Sequence, residues 1–94
     1  MLTYTAAYFF DGDGIHAELL DYPGVLSCGV DLDDARENLG AALVDMLESD
    51  LSDGRPVPTP KPASDSPEAD LVEPLHVVMK GGPEVVTDIA AAGQ

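Results

Sequence analysis

The clearest pattern of apolar positions lies in the middle of the chain and predicts one long helix. Apolar residues recur there at intervals of three and four, which places them on one face of a helix. Asp31 is a suitable N-cap, and Asp33 and Asp34 put negative charge in the first turn, where the helix dipole favours it. Gly54 and Pro56 follow the last apolar position and mark the end of the helix. The apolar positions are Leu32, Ala35, Leu39, Ala42, Leu43, Met46 and Leu47.

Before this helix, alternation of apolar and polar residues predicts two strands joined in a hairpin. Residues 2–10 carry no charge and are rich in threonine and aromatic side chains, which favours a strand. We expect its even-numbered positions, from Leu2 to Phe10, to face the core. The segment Asp11-Gly12-Asp13-Gly14 is a turn signal, because glycine tolerates positive φ and aspartate bonds to its local backbone. Residues 15–20 return as the second strand, with His16 and Glu18 predicted on the face away from the core.

The segment Pro23-Gly24 ends the second strand and turns the chain. Gly24 would occupy the third position of a type II turn, which needs a positive φ. Residues 25–30 then form a short third strand that leads directly to the Asp31 cap. Three sequential strands joined by tight turns predict an antiparallel meander, and the helix must bury its apolar face against one side of that sheet.

After the helix, four alternating prolines between Gly54 and Pro62 favour extended polyproline geometry. Residues 63–70 are small and acidic, which is typical of a mobile loop. Residues 75–79 are prone to form a fourth strand, and Pro74 places the start of that strand at a sheet edge. Pro83 and Gly93 predict a short helix over 83–92, although the β-branched residues inside it fit a strand equally well.

These elements define an α+β fold: an antiparallel three-stranded meander, one long helix packed on one face, and a further edge strand, in the order β-β-β-α-β. The length of 94 residues fits one domain, which we expect to span residues 1–80. A Pro-rich and acidic loop at 54–72 would lie inside it, and residues 81–94 would form a short C-terminal tail. A chain this small buries a modest fraction of its surface, so we expect a homo-oligomer, either a dimer or a tetramer.

The charge balance narrows the classes of partner. The chain has 18 acidic residues and 4 basic ones, for a formal net charge of -14. Such a chain repels phosphate backbones, so we expect no direct binding of nucleic acid. The acidic surface could steer a basic partner during encounter. It could equally serve general solvation, as in proteins of a salty cytoplasm, and the sequence leaves both interpretations open.

The residue types that carry chemistry do not form a recognisable catalytic or metal-binding pattern. His16 and His76 each lie among apolar neighbours without a ligand partner at metal-binding spacing, and Cys28 is interpreted as a small buried hydrophobe. Asp11 begins what could be a calcium loop, but Tyr22 stands where the final glutamate would be required. The sequence shows no Gly-rich phosphate loop, no nucleophile elbow and no carboxylate cluster for two-metal phosphoryl transfer. We therefore expect no enzyme activity, no metal and no cofactor.

Signals of cellular location are few. The chain has no apolar run long enough to span a membrane, so we expect no membrane association. Its N-terminus has no basic region followed by an apolar core, as a secretory signal would. One cysteine cannot form an intramolecular disulfide. We expect a cytoplasmic protein.

Several spaced elements together resemble the HicB-like antitoxin family over about residues 2–62. They include the turn Leu20-Asp21-Tyr22-Pro23-Gly24-Val25, then Gly29, the capped helix start Leu32-Asp33-Asp34-Ala35, and the exit Gly54…Pro56-Val57-Pro58. The family typically shows a Pro-Asp-Leu-Pro-Gly turn, a helix beginning Leu-x-Glu-Ala, and a Gly-x-x-(Ile/Val)-Pro exit. Here Leu20, Tyr22 and Asp34 replace the usual proline, leucine and glutamate, which keeps both the turn and the cap.

The resemblance implies a partial ribonuclease H-like fold that lacks the catalytic residues of the nuclease. It also implies an antitoxin, which would bind a small basic mRNA-cleaving toxin and cover its active-site histidine. Fuller members of the family carry a C-terminal helix-turn-helix or ribbon-helix-helix domain that binds DNA. Residues 81–94 are too short for such a domain, so we expect a stand-alone domain without one.

We expect the toxin to contact acidic residues near the turn end of the sheet, outside the face covered by the helix. Acids on the helix, namely Asp45, Glu48 and Asp50, are expected to form a solvated back. Pro23, Gly24 and Gly29 are expected to be structural. The residues predicted to bind the partner are Asp11, Asp13, Glu18 and Asp21.

A second interpretation remains open. The chain could be a stand-alone homo-oligomeric HicB-like domain of unknown ligand, in which the acidity serves solubility in a high-salt cytoplasm. A third interpretation is that the chain is a degenerate nuclease. A nuclease site would require carboxylates that converge on one point.

Overall fold

The computed structural model describes residues 2–61, 65–80 and 84–89. Its elements, in chain order, are β1 (Leu2–Phe10), β2 (Ile15–Leu19), β3 (Leu26–Gly29), α1 (Leu32–Ser52), β4 (Leu71–Lys80) and β5 (Glu84–Ile89). The described strands form one antiparallel sheet in the order β3-β2-β1-β4-β5. Helix α1 packs on one face of this sheet. The predicted α+β fold, with a meander, a helix and a following strand, is confirmed.

Both ends of α1 are capped as the sequence predicts. At the N-cap, the Asp31 carboxylate accepts the amide of Asp34 at 2.8 Å. The Asp34 carboxylate in turn accepts the amide of Val30 at 2.9 Å, one residue before the donor of a standard capping box. At the other end Gly54 has φ 71°, and the amide of Arg55 bonds the carbonyl of Asp50 at 2.8 Å, as in a Schellman motif. Side-chain acceptors and one left-handed glycine therefore set the length of the helix.

The core lies between α1 and the sheet face that it covers. Tyr4, Ala6 and Tyr8 of β1 are fully buried there, as predicted, whereas Phe10, which was also predicted to face the core, is 50% exposed. The three buried residues meet the apolar face of the helix, where Leu39, Leu43 and Leu47 have no exposed surface. Each buried leucine contributes about 1.5–3 kcal/mol, so this layer dominates the stability of the fold.

The turn between β2 and β3 is a type II turn. The amide of Val25 bonds the carbonyl of Tyr22 at 3.2 Å, and Gly24 has φ 93° at the third position. A Cβ at Gly24 would also lie 3.2 Å from the Cε of Met46 on the helix. The turn therefore requires glycine for its backbone angle, and a side chain there would also displace the end of Met46 slightly.

Gly29 allows the start of the helix to lie directly against the end of β3. A Cβ at this position would lie 2.3 Å from the backbone nitrogen of Ala35, which is far inside van der Waals contact. Gly14, at the start of β2, is close to the same point, because its Cβ would lie 2.9 Å from the carbonyl oxygen of Gly29. The chain thus needs two glycines where the hairpin, β3 and α1 converge.

Strand β4 begins at Leu71, earlier than predicted, and shortens the predicted loop by two residues. Pro74 lies inside this strand, opposite Thr5 of β1. Thr5 directs its N–H and C=O to the β2 side, to Asp21 and Leu20, so the pair with Pro74 has no hydrogen bonds between them. The nitrogen of Pro74, which has no hydrogen to donate, consequently faces away from β1. The edge prediction holds for the start of β4 only, because residues 75–80 pair with β5.

Residues 84–89 form strand β5, and the predicted short helix is wrong for them. The segment pairs antiparallel with β4 from Leu75 to Lys80. Three consecutive β-branched residues, Val85, Val86 and Thr87, favour a strand, and β4 supplies a free edge with which they can pair. Residue 83 and residues 90–92 of the predicted helix lie outside the described residues.

The proline-rich segment is tied to the domain over residues 57–61. The hydroxyl of Tyr4 donates to the carbonyl of Pro58 at 2.7 Å, and the amide of Lys61 donates to Asp21 at 2.9 Å. Val57 packs against the core. The predicted mobile loop at 63–70 lies partly outside the described residues, but its end is anchored where Asp70 donates its amide to the carbonyl of Tyr8.

Candidate partner-binding surface

The two arginines of the chain form ion pairs within the domain. Arg36 makes two hydrogen bonds to Glu73, with distances of 2.9 Å from Nε and 2.8 Å from Nη2. The Glu73 side chain has no exposed surface, and its hydrogen bonds raise the pKa of Arg36. Arg55 pairs with Asp50 at 2.9 Å and with Asp53 at 3.0 Å. With both arginines occupied, the acidic side chains on the surface have few cations to neutralise them.

The Tyr8 hydroxyl is buried beside the Arg36–Glu73 pair. It makes no hydrogen bond of acceptable geometry within the described part of the chain. Burial, followed by the neighbouring carboxylate of Glu73, raises the pKa of Tyr8. The phenol therefore stays neutral and belongs to the core.

Asp21 was predicted to contact a partner, but its carboxylate is buried and occupied. The residue is 5% exposed. One carboxylate oxygen accepts the amide of Thr5 and the other accepts the amide of Lys61, both at 2.9 Å. Asp21 therefore joins β1 to the proline-rich segment and is not available to a partner. The prediction is wrong for this residue because these two backbone donors need an acceptor inside the fold.

Asp50 was predicted to be solvated, and this prediction is also wrong. The hydroxyl of Tyr22 donates to its carboxylate at 2.5 Å, and Arg55 donates at 2.9 Å. These two hydrogen bonds, that of Tyr22 first, lower the pKa of Asp50. The network fastens the β2–β3 turn to the end of α1. The turn that contains Pro23 and Gly24 is thereby held against the helix.

Asp11 and Asp13 lie where they were predicted, exposed at the tip of the β1–β2 hairpin. The Asp11 carboxylate accepts the amide of Asp13 at 3.2 Å and lies 3.0 Å from Nε2 of His16. Beside them an open groove of about 550 Å³ runs towards the start of α1. Asp34 and Asn38 line its far side. The tip thus carries two exposed carboxylates at the rim of a groove.

The same groove is next to an exposed apolar residue. Val30, which follows β3, is 83% exposed and lines the groove together with Cys28. The expectation that Cys28 is buried is wrong, because it lies on the uncovered face of β3 and is exposed. Sequence reasoning did not assign Asp34, Asn38 or Val30 to the site. The sequence feature that could have pointed to these residues is the short connection between β3 and α1, because it places the first helical turns beside the hairpin.

Glu18 lies apart from the hairpin tip. Its side chain is partly exposed on the sheet face that α1 does not cover. There it lines a hollow of about 220 Å³ with Phe9, His16 and Leu26. The four predicted residues therefore do not form one site. Asp11 and Asp13 share the tip, Glu18 lies on the sheet, and Asp21 is buried.

The acids on the outer side of α1 form a separate surface. Asp33, Glu37, Asp45 and Glu48 are all exposed, as the prediction of a solvated back requires for the last two. Among the residues that the structure describes, no group of histidine, cysteine or acidic side chains could hold a metal ion. Within those same ranges, no helix is long and apolar enough to cross a membrane.

Comparison with known proteins finds similarity to a solved structure, although not to a family model. No family model matches the chain, and no curated protein matches it. Among solved structures, it is similar to a chain of a HicA3 and HicB3 toxin-antitoxin complex. The TM-score is 0.57 at 24% sequence identity, and the match covers 64% of this chain and 71% of that one. At this level of identity, the chain shares its fold with a component of a toxin-antitoxin complex.

Proposed function

We propose that this chain is an antitoxin-like, protein-binding domain that neutralises a small basic mRNA-cleaving toxin by covering its active site. The observation that carries the proposal is the fold shared with a chain of the HicA3 and HicB3 complex over 64% of this sequence. The HicB-like pattern of turn, glycine and capped helix in residues 20–35 agrees with that choice of partner.

The charge distribution supports a basic partner. Arg36 and Arg55 are held by Glu73 and Asp50, and of the exposed acids on α1 Asp33 alone pairs with one of them, so most exposed acids of the hairpin tip and of α1 have no arginine beside them. A field of one sign raises the rate at which an oppositely charged protein meets its partner. The proposed role of the acidity is therefore to attract and orient the toxin.

The hairpin tip is the part of this surface best suited to a specific contact. Asp11 and Asp13 lie at the rim of the groove, and Val30 offers an exposed apolar side chain next to them. Charges at the rim of an interface chiefly set the association rate, whereas apolar anchors chiefly set dissociation. The groove brings both kinds of contact together, and we propose that the basic toxin binds there.

We also propose that the domain is not a nuclease. Two-metal catalysis requires carboxylates with free oxygens that converge on one point. Asp21 and Asp50 have their oxygens engaged by hydrogen bonds, and Asp11 and Asp13 lie at an exposed turn. The purified domain with magnesium or manganese should therefore leave RNA and DNA intact. Cleavage that disappears in Asp11→Asn would contradict this proposal.

The partner can be tested with the product of the neighbouring gene, provided that the gene encodes a short basic protein. We expect the two proteins to copurify, and the complex to suppress RNA cleavage by the partner. The double variant Asp11→Asn/Asp13→Asn should associate more slowly in surface plasmon resonance. Its association rate should also depend less on salt, because long-range attraction is screened beyond a Debye length of about 10 Å at 0.1 M salt.

The matched control is Asp45→Asn/Glu48→Gln, which removes the same number of charges from the outer side of α1. We expect this variant to change association much less. Equal effects of the two double variants would mean that the charge acts as a diffuse field, and the groove would then not be the site. A basic neighbour that neither binds nor is inhibited would overturn the antitoxin proposal itself.

Self-association forms a separate part of the proposal. The described chain has one helix and one sheet, so the second face of the sheet carries no helix within the described residues. We propose that the domain is a homo-oligomer, a dimer or a tetramer, and that it does not bind nucleic acid directly.

A further inference from the structure

Aspartate is followed directly by glycine at three places in the chain: Asp11-Gly12, Asp13-Gly14 and Asp53-Gly54. An aspartate in this dipeptide can rearrange spontaneously, because glycine has no Cβ to hinder attack by its amide nitrogen on the aspartate side chain. The three pairs are identical in sequence. Their hydrogen bonds and backbone angles differ in the structure, so their reactivity should differ too.

The pair at the end of α1 is restrained. The amide of Gly54, which would have to attack, donates to the carbonyl of Leu51 at 3.3 Å. The Asp53 carboxylate lies 3.0 Å from Nη1 of Arg55. Asp53 also has ψ -1°, and closure of a ring with the next amide would require rotation out of this helical angle. The C-cap of α1 therefore protects its Asp-Gly pair.

The first pair at the hairpin tip is held through its side chain. One oxygen of Asp11 accepts the amide of Asp13 at 3.2 Å, and the other lies 3.0 Å from Nε2 of His16. The carboxylate must break both contacts before it can turn to the amide of Gly12. These contacts should slow the reaction at Asp11.

The second pair at the tip has no such restraint. Asp13 is exposed, and its carboxylate makes no hydrogen bond or ion pair within residues 2–61, 65–80 and 84–89. In those same ranges the amide of Gly14 has no acceptor. Exposed loop tips also open at little cost in free energy, so the carboxyl group can reach the geometry of attack.

We infer that Asp13 is a modification site, at which the chain isomerises spontaneously to isoaspartate. The amide nitrogen of Gly14 attacks Cγ of Asp13, and the amide proton leaves with the carboxyl hydroxyl as one molecule of water. Water then adds to one carbonyl of the resulting succinimide and breaks its C–N bond. Opening at the main-chain carbonyl gives isoaspartate. One water is released and one is consumed, so no other reactant is required.

Isoaspartate would alter the tip without changing its charge. The backbone gains one methylene between β1 and β2, and the carboxylate becomes attached directly to Cα. Asp13 lines the groove that we propose as the toxin site, so the reaction would change that surface as the protein ages. The reaction needs no partner, and the inference is therefore independent of the proposed function.

The test is incubation of the purified full chain at mildly acidic pH, followed by proteolysis and mass spectrometry with electron-based fragmentation, which distinguishes isoaspartate from aspartate. We expect isoaspartate to accumulate at position 13 at least about fivefold faster than at position 11 or 53. In guanidinium chloride the three positions should react at similar rates, because the protecting contacts are lost.

The matched variant is Asp13→Glu, which keeps the charge at an exposed position. Glutamate would have to close a six-membered ring, which forms much more slowly. The isoaspartate in the fragment that contains the tip should therefore fall at least about fivefold, while the slow reaction at position 53 stays unchanged. Circular dichroism should show that the variant is folded.

Three results would overturn the inference. Equal rates at positions 13 and 53 in the folded chain would mean that the contacts at the end of α1 do not protect Asp53. A faster reaction at position 11 would assign the site to Asp11. Absence of isoaspartate from the folded chain, whatever the denatured chain shows, would mean that the folded tip excludes the ring. The toxin plays no part in these measurements, so each result leaves the proposed function to its own test.

Discussion

The two ends of the β1–β2–β3 meander use aspartate in opposite ways. At the turn end, Asp21 and Asp50 are buried, and their oxygens accept hydrogen bonds from backbone amides, a tyrosine and an arginine. At the tip end, Asp11 and Asp13 lie in solvent at the rim of a groove. In one acidic chain, therefore, identical side chains build the fold at one end and charge the surface at the other.

This difference separates stability from binding. An acid that satisfies buried donors cannot be removed without leaving those donors unpaired. An acid in solvent can be removed with little effect on the fold, and its loss is felt mainly by a charged partner. The turn end should therefore be sensitive in unfolding experiments, and the tip end in association experiments.

The largest effect is expected for Gly29→Ala, which tests whether the tip end depends on close packing. The new Cβ would lie 2.3 Å from the backbone nitrogen of Ala35, so β3 or α1 must shift. We expect a loss of more than about 3 kcal/mol in the free energy of unfolding, measured by urea denaturation. Gly12→Ala is the control. A Cβ at position 12 would have no atom within 4 Å, so the substitution introduces only the backbone strain of an alanine at φ 79°. Equal losses for the two variants would contradict the close approach.

Next in size is Asp21→Ala, which compares the two ends directly. The substitution leaves the amides of Thr5 and Lys61 without their acceptor. We expect a loss of about 2–3 kcal/mol in the free energy of unfolding. Asp13→Ala, at the exposed tip, should change it by less than about 0.5 kcal/mol. If urea denaturation gave the same stability for both variants, the contrast between the ends would not hold.

Tyr22→Phe should have a moderate effect that depends on pH. The variant loses the hydroxyl that bonds Asp50, and we expect the melting temperature to fall by about 5 °C at neutral pH. The lowered pKa of Asp50 means that its contribution is present above the ordinary value of 3.8 and is lost as the pH falls through the folded value. The difference in melting temperature between wild type and variant should therefore narrow in acid. A difference that stays constant from neutral to acidic pH would show that the bond does not favour the carboxylate form.

The smallest effect on stability is expected for Asp11→Asn/Asp13→Asn. The contact between Asp11 and His16 is exposed, so its loss should cost less than about 1 kcal/mol. Removing two charges from a chain of net charge -14 also relieves repulsion, which offsets part of this loss at low salt. Thermal melts at two salt concentrations would measure the balance. A large loss of stability in this double variant would mean that Asp11, like Asp21, contributes to the stability of the fold.

The prediction of elements from sequence succeeded where local signals agree with the tertiary structure. The periodicity of α1, its aspartate cap and the glycine at its end are all local, and each is found in the structure. The same holds for the type II turn at Gly24, whose positive φ follows from residue type and position. The strand at 84–89 was not resolved from a helix, because its pairing partner β4 is a feature of the assembled sheet.

The sequence by itself determined the order of the elements, the apolar face of the helix and the excess of negative charge. Only the tertiary structure decided which acids remain on the surface. Asp21 and Asp50 read like Asp11 and Asp13 in the sequence, yet folding brings backbone donors, Tyr22 and Arg55 to the first pair and leaves the second in water. Arg55 is five residues from Asp50, but the other three donors, from Thr5, Tyr22 and Lys61, lie 16 to 40 residues from the carboxylate that they bond, and such distant neighbours leave no local pattern.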